Sequence, residues 1–164
     1  MFFKKKQDNR VFSPIMGKFV KLQDVNDNTF SSGLMGTGFA VDPIESTVLS
    51  PFDGEVVMIF PTGHAIGLKR KDGLEVLIHI GIETVNLKGR GFNILVNNND
   101  NVRKGQKLIS FDKALLLHEK LDPTVIVIFT NGQEYDIAIN NQATISNKDV
   151  IAYAEKKVHH IPHH

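Results

Sequence analysis

The chain of 164 residues has no cysteine. That excludes disulfides, thiolate metal centres and thiol nucleophiles, and it fits a reducing, cytoplasmic setting. No apolar run is long enough to span a bilayer, and the opening Met1-Phe2-Phe3-Lys4-Lys5-Lys6 lacks the apolar core of a secretory signal. Charge bias is missing too. With 19 Lys and Arg against 18 Asp and Glu, the net charge is +1, which offers nothing to draw in nucleic acid. Three catalytic signatures are also absent. There is no His-Glu-x-x-His or His-x-His for a zinc hydrolase and no elbow serine between glycines for a hydrolytic triad. Gly36-Thr37-Gly38 has neither the lysine nor the helix of a phosphate loop, and reads instead as a turn into the strand Phe39-Ala40-Val41.

What is present suits one globular domain, with 41% hydrophobic and 23% charged residues. Residues 1–10 read as a flexible, basic N-terminal arm in which Phe2, Phe3 and the lysines offer at most a weak membrane contact. Residues 11–156 read as the domain, and 157–164 as a His-rich tail. Ser13-Pro14-Ile15-Met16-Gly17 returns as Ser50-Pro51-Phe52-Asp53-Gly54, each a turn feeding a β-forming run, which suggests an internally duplicated fold. Further along, Val102–Phe111 is a strand, and Asp112 caps a helix over Lys113–Lys120. Val125–Phe129 is a fully buried strand, and Ile137–Ile139, Ala143–Ile145 and Val150–Tyr153 are short ones. Many short strands between Gly, Pro and Asn-Asp turns predict an all-β fold: an antiparallel β-sandwich or barrel with a duplicated, hybrid-type motif and one or two short helices.

The stretch from Pro61 to Gly81 carries the chemistry. Asp72-Gly73 between apolar runs is a strong hairpin signal. A two-residue loop there pairs His79 with Ile66 and His64 with Gly81, so both imidazoles share one sheet face as diagonal neighbours. A three-residue loop would send them to opposite faces. An imidazole among Val76, Leu77, Ile78 and Ile80 needs a polar partner, because an unpaired buried polar group costs about 1–3 kcal/mol. With the zinc, serine and nucleotide chemistries lacking their parts, a phosphohistidine carrier asks least. It needs one neutral imidazole as nucleophile, a second polar group to steady the phosphate, and nearby backbone donors.

The motifs Ser50-Pro51-x-x-Gly54, Thr62-Gly63-His64-Ala65-Ile66-Gly67 and Leu77-Ile78-His79-Ile80-Gly81-Ile82-Glu83-Thr84-Val85-x-Leu87-x-Gly89-x-Gly91-Phe92 closely resemble the glucose-type IIA family of the bacterial sugar phosphotransferase system. Met35-Gly36-x-Gly38, Val102-x-x-Gly105 and Leu108-Ile109-x-Phe111-Asp112 fit as well, so the resemblance spans roughly residues 11–155. It implies an antiparallel β-sandwich. It also implies that His79 accepts a phosphoryl group on Nε2 from phosphohistidine HPr and passes it to a cysteine of the IIB domain of a glucose-type permease. The family's second histidine falls on His64, and the threonine that hydrogen-bonds it and fixes its tautomer falls on Thr62. Gly81 matches the glycine whose carbonyl holds the acceptor's Nδ1–H. Glu83 stands where many members have Asp, and Ile66 where some have an aromatic residue.

Both partners must dock on one face, so an apolar rim is expected, with Met35, Phe39, Ile66, Leu77, Glu83 and Val85 as candidates. No cofactor is required for this reaction. The alternative reading is a regulatory module that binds partner proteins with the same face, a zinc ion being bridged by His64, His79 and a partner carboxylate. A biotinyl or lipoyl carrier is disfavoured because Lys71-Asp72-Gly73 lacks the flanking methionines of a modified lysine. His118 reads as a helix-surface residue, and His159, His160, His163 and His164 as a terminal cluster.

Overall fold

Glycine, proline and asparagine interrupt this chain so often that, among the described residues, no regular element exceeds seven residues. The computed structural model describes residues 6–158. Its strands are β1 (Arg10–Phe12), β2 (Gly17–Lys21), β3 (Thr37–Pro43), β4 (Thr47–Leu49), β5 (Gly54–Ile59), β6 (Ala65–Arg70) and β7 (Glu75–Ile80). They continue as β8 (Phe92–Ile94), β9 (Asn101–Val102), β10 (Lys107–Phe111), β11 (Val125–Phe129), β12 (Tyr135–Ile139), β13 (Thr144–Ile145) and β14 (Val150–Lys156). Two helices are α1 (Asn28–Ser31) and α2 (Lys113–His118). The strands form an eight-stranded sheet in the order β13-β2-β3-β11-β7-β6-β5-β9 and two three-stranded sheets, β1-β14-β12 and β4-β10-β8. The pairings are antiparallel, and one core cluster draws side chains from all three sheets. The all-β expectation is met. Phe2, Phe3, His159, His160, His163 and His164 lie outside the described residues. No helix among the described residues is long and apolar enough to cross a membrane.

The duplication runs deeper than its two Ser-Pro motifs. Ser13 Oγ donates to the Ile15 carbonyl at 2.6 Å and Ser50 Oγ to the Phe52 carbonyl at 2.7 Å, so each buried hydroxyl closes the same turn. The motifs also clasp each other: Phe12 N–H donates to Pro51 O at 2.9 Å, and Leu49 N–H to Pro14 O at 2.8 Å. Around them β2 lies between β3 and β13 as β5 lies between β6 and β9, with Gly17 opposite Ile145 and Gly54 opposite Val102. In the same way β1 pairs with β14 and β4 with β10. An approximate two-fold therefore relates the halves.

Asp112 caps α2 as expected, its carboxylate accepting from Leu115 N–H at 3.0 Å. The helix stops at His118, two residues earlier than expected. Lys120 takes a left-handed φ of 59°, and Leu121 N–H closes back onto Leu116 O at 2.9 Å, a helix-ending pattern that uses lysine where glycine is usual.

The Asp72-Gly73 hairpin differs from its expected register. Ala65 faces His79 and Lys69 faces Glu75, while Arg70 N–H bonds Leu74 O at 2.8 Å, so the loop has three residues, Lys71 to Gly73. Gly73, at φ 105°, supplies the positive-φ residue that such loops use after a turn. One step of register turns every side chain over. Ile66 therefore faces the main core with Leu68 and is fully buried, which removes it from any docking rim. Phe39, on β3, is corrected as well: it points into that core, stacked on Phe19 with ring centroids 6.3 Å apart.

The register also sets what β7 presents. Val76, Ile78 and Ile80 enter the main core, while Leu77 and His79 face the other side of the sheet, His79 sharing that face with its partner Ile126 on β11. A second apolar cluster covers this side, made by Leu22, Val25, Phe30, Ala40, Ile82, Ile126 and Ile128.

Close strand approach at Gly54 yields a first test. A Cβ there would meet the Lys69 carbonyl oxygen at 2.3 Å, whereas one at Gly67 would make an ordinary 3.4 Å contact with Val57. Gly54→Ala is expected to lower stability in urea or thermal unfolding by about 1–3 kcal/mol, and Gly67→Ala to leave it nearly unchanged.

Candidate functional site

β7 ends at Ile80, and the chain then turns through Gly81 at φ 76°. That turn swings the Gly81 carbonyl back to the ring of His79, 2.7 Å from Nδ1. Only glycine fits there, because a Cβ would come within 2.4 Å of Thr84 Cγ2 and 3.0 Å of the Asp122 carbonyl. The turn is held from several directions. Gly81 N–H bonds Thr124 O at 2.8 Å, Ile82 N–H bonds Asp122 O at 2.9 Å, and the buried Thr84 hydroxyl donates to Ile80 O at 2.5 Å.

His64 reaches the same spot by a different route. It precedes β6, in the bend after Gly63 at φ 75°, so strand alternation does not govern its side chain. Its carbonyl accepts from Ile80 N–H at 2.7 Å, which fastens it beside the end of β7. The two imidazole centroids lie 5.0 Å apart, nearly edge to face at 75°. The histidines thus meet despite the three-residue loop, because the glycine turn re-aims one of them. Thr62 Oγ1 hydrogen-bonds His64 Nδ1. Phe60 packs edge-on against His64, with ring centroids 5.3 Å apart.

Electrostatics follows from this packing. Phe30, at the end of the Leu22–Phe30 cover, sits 5.0 Å from His79, centroid to centroid. Burial beneath that cover pushes the His79 pKa down to about 4, the neighbouring His64 pushing the same way and the Gly81 carbonyl and Asp27 opposing them. Burial likewise holds His64, which is 4% exposed, below the ordinary imidazole value. Both rings are neutral at pH 7. With Nδ1–H engaged by Gly81, the lone pair of His79 sits on Nε2. The arrangement supplies a neutral nitrogen nucleophile, fixed in tautomer, next to a second imidazole whose Nδ1 is likewise engaged.

The structure thus brings together His79, His64, Thr62 and Gly81. The rim candidates divide. Met35 and Val85 are 36% and 51% exposed, Glu83 is exposed in a left-handed conformation, and Leu77 is partly buried against the second cluster. Ile66 and Phe39 belong to the core. Sequence reasoning missed three residues: Phe30 over His79, Phe60 beside His64, and Leu34, which is 88% exposed just beyond α1. Asp27 caps α1 through Thr29 N–H at 2.9 Å, a signal for the short helix that carries Phe30 but not for the surface its ring covers.

Residues 9–135 match the family model for the phosphoenolpyruvate-dependent sugar phosphotransferase system, EIIA 1. The chain is 43% identical over 139 residues to the glucose-specific EIIA component of Halalkalibacterium halodurans, covering 84% of this chain and 80% of that one. It is 46% identical over 129 residues to the glucoside-specific EIICBA component of Staphylococcus carnosus, covering 79% of this chain. It spans only 19% and 21% of the length of that protein and of the glucose-specific EIICBA component of the same organism. The solved glucose permease IIA from Mycoplasma capricolum superposes with a TM-score of 0.81 at 35% identity, over 93% of this chain and 98% of that one.

Neutral rings make a direct prediction. In a ¹⁵N NMR titration of the imidazoles, His79 should hold its neutral, Nδ1–H form from pH 8 down and protonate with a midpoint near 4. A midpoint near 6.5, the value of an unperturbed histidine, would contradict the burial described here.

Proposed function

Since the chain belongs to the EIIA 1 family of the phosphoenolpyruvate-dependent sugar phosphotransferase system, we propose that it is a phosphocarrier working through His79 Nε2. It accepts a phosphoryl group from the phosphohistidine of HPr and passes it to the cysteine of the IIB domain of a glucose-type permease. The observation that carries this reading is the 2.7 Å contact between His79 Nδ1 and the Gly81 carbonyl, in a ring pair 5.0 Å apart. Names of relatives support the partner and sugar class: glucose-specific EIIA in Halalkalibacterium halodurans and fused EIICBA chains in Staphylococcus carnosus.

In the accepting step the Nε2 lone pair forms the new P–N bond as the donor's P–N bond breaks, and the donor imidazole leaves with its electron pair. Phosphoryl transfer asks for positioning and charge stabilisation rather than further covalent chemistry. Gly81 supplies the positioning by fixing the Nδ1–H tautomer. His64 supplies the stabilisation. With the Thr62 hydroxyl donating to Nδ1, its Nε2 carries the proton and donates it as a hydrogen bond to a phosphoryl oxygen. In the second step the cysteine thiolate forms a P–S bond as the P–Nε2 bond breaks, and His79 returns to its neutral form. Leu34, Met35 and Val85, exposed beside α1 and after Gly81, provide the apolar docking surface, with Glu83 as its acidic neighbour.

A zinc-bridged regulatory complex on the same face is the second reading, and one observation bears on it. Among the described residues no third His, Cys, Asp or Glu joins the histidine pair in a group able to hold a metal. Zinc there would need ligands from a partner to complete its usual four.

Incubation with enzyme I, HPr and phosphoenolpyruvate, read by intact mass, tests the reading in one step. Wild type should gain one phosphoryl group and His79→Gln none; a labelled His79→Gln variant would overturn the assignment. His64→Gln should still accept the phosphoryl group but pass it to the IIB domain about 10²–10³-fold more slowly. Undiminished transfer would reduce His64 to a structural role.

A further inference from the structure

At the hairpin end of the β6–β7 ribbon, remote from the histidines along the same strands, a cleft of about 440 Å³ gathers five cationic side chains: Lys6, Arg10, Arg70, Lys71 and Lys104. Its two carboxylates are already engaged. Asp8 is held by Arg10 through Nε at 2.9 Å and Nη2 at 2.8 Å, and Asp53 accepts the Lys104 backbone N–H at 2.8 Å. Phe12 floors part of the cleft, with Lys104 Nζ 4.0 Å and Arg10 Cζ 5.3 Å from its ring centroid. A second cleft shares Asp53, Arg70 and Lys71 and adds Lys69 and Arg103 with one carboxylate, Glu55, so a net basic character continues across the loop.

Arg70 is the built element. Its side chain is 2% exposed and occupies the position on β6 that follows Ile66 and Leu68 on the core-facing side. Nε and Nη2 bind the Asp72 carboxylate at 2.7 and 2.8 Å, Nη2 also donates to Ala154 O at 2.7 Å, and Cζ stands 5.8 Å from the Tyr135 ring centroid. Nη1 has no hydrogen-bond partner among the described residues. A buried guanidinium nitrogen with no acceptor is rare in folded proteins, and with Nε and Nη2 held by Asp72 and Ala154 it is Nη1 that lacks one.

We propose that this cleft binds a phosphate group, carried by a small phosphomonoester or a lipid headgroup, with Arg70 anchoring it and Lys71 and Lys104 closing around it. Soluble and membrane-borne phosphate share that chemistry, and the experiment separates them. The ¹⁵N-labelled full chain is titrated with inorganic phosphate and glucose 6-phosphate, with glucose and with sodium chloride at matched ionic strength as controls. In parallel it is sedimented with phosphatidylglycerol and with phosphatidylcholine vesicles.

The expected result is saturable shifts at Asp53, Arg70, Lys71 and Lys104 with the phosphates only, or retention by phosphatidylglycerol only. Saturation in solution assigns a free phosphomonoester, and retention without it assigns a headgroup. Because Arg70 is buried, the variant is Lys71→Ala/Lys104→Ala on the exposed rim. It should weaken binding at least about tenfold while taking a phosphoryl group on His79 normally, so this test and that of the carrier reading fail independently. The proposal is overturned if neither phosphate source gives a saturable response, if chloride gives the same shifts, or if the double variant binds as wild type does.

Discussion

Everything at the histidine pair depends on the hydrogen bond that the Gly81 carbonyl accepts from His79 Nδ1–H. It is a contact between residues two apart, yet it is not a local accident. The carbonyl points back only because Gly81 adopts a left-handed conformation, and that conformation is locked by Thr124, Asp122 and the Thr84 hydroxyl. The last five residues before Thr130 explain how that lock is rigid. They form β11, buried along its whole length between β3 and β7, so the chain entering it cannot shift without disturbing the centre of the large sheet. A single tautomer of one imidazole is thereby written into the core of the domain.

The nucleophile proposed here must be both neutral and reachable, and the second apolar cluster reconciles the two demands. Packing Leu22, Val25 and Phe30 over the outer face of the sheet strips water from one side of His79 and disfavours its charged form, while leaving the residue only partly buried. Burial alone would make the ring inert, and exposure alone would leave a substantial fraction protonated near the ordinary imidazole value of about 6.5. His64 exposes less surface than His79, as the proposed role of presenting a single N–H to a phosphoryl oxygen would require. The small cover segment, among the least regular parts of the fold, therefore decides the protonation state of His79.

Much of this was legible in the sequence because it is written in residue types with narrow geometric use. Glycine beside histidine, Ser-Pro turns in duplicate, an Asp helix cap and a β-branched run each announce one local structure. What was not legible was register. Whether Asp72-Gly73 closes a two- or three-residue loop depends on Arg70 pairing with Leu74, a contact that no local propensity dictates, and the error moved Ile66 from rim to core. Phe39 failed similarly, since a strand rich in apolar residues on both faces does not say which face is wet. The histidine pairing survived a wrong register only because Gly63 frees His64 from strand alternation. Phe30 was hidden by its surroundings: one aromatic residue in a polar stretch looks like a loop until the surface it covers is known.

The same three-residue loop that displaced Ile66 also gave Arg70 a core-facing position, and stability does not account for a cation there. Buried ion pairs replaced by apolar residues of similar size leave proteins about as stable or more so, because desolvating two charges offsets their attraction. Asp72 satisfies two of the three guanidinium nitrogens, and the third, left without an acceptor, costs about a further 1–3 kcal/mol. Exposed lysines around it raise that cost by repulsion. The arrangement becomes favourable once an anion with several oxygens enters, since one ligand then gives the orphaned nitrogen an acceptor and neutralises the cluster. A β-ribbon stiff enough to hold two imidazoles at one end is equally able to hold a fixed guanidinium at the other, and the energetic debt at Arg70 is what distinguishes such a site from an ordinary basic surface.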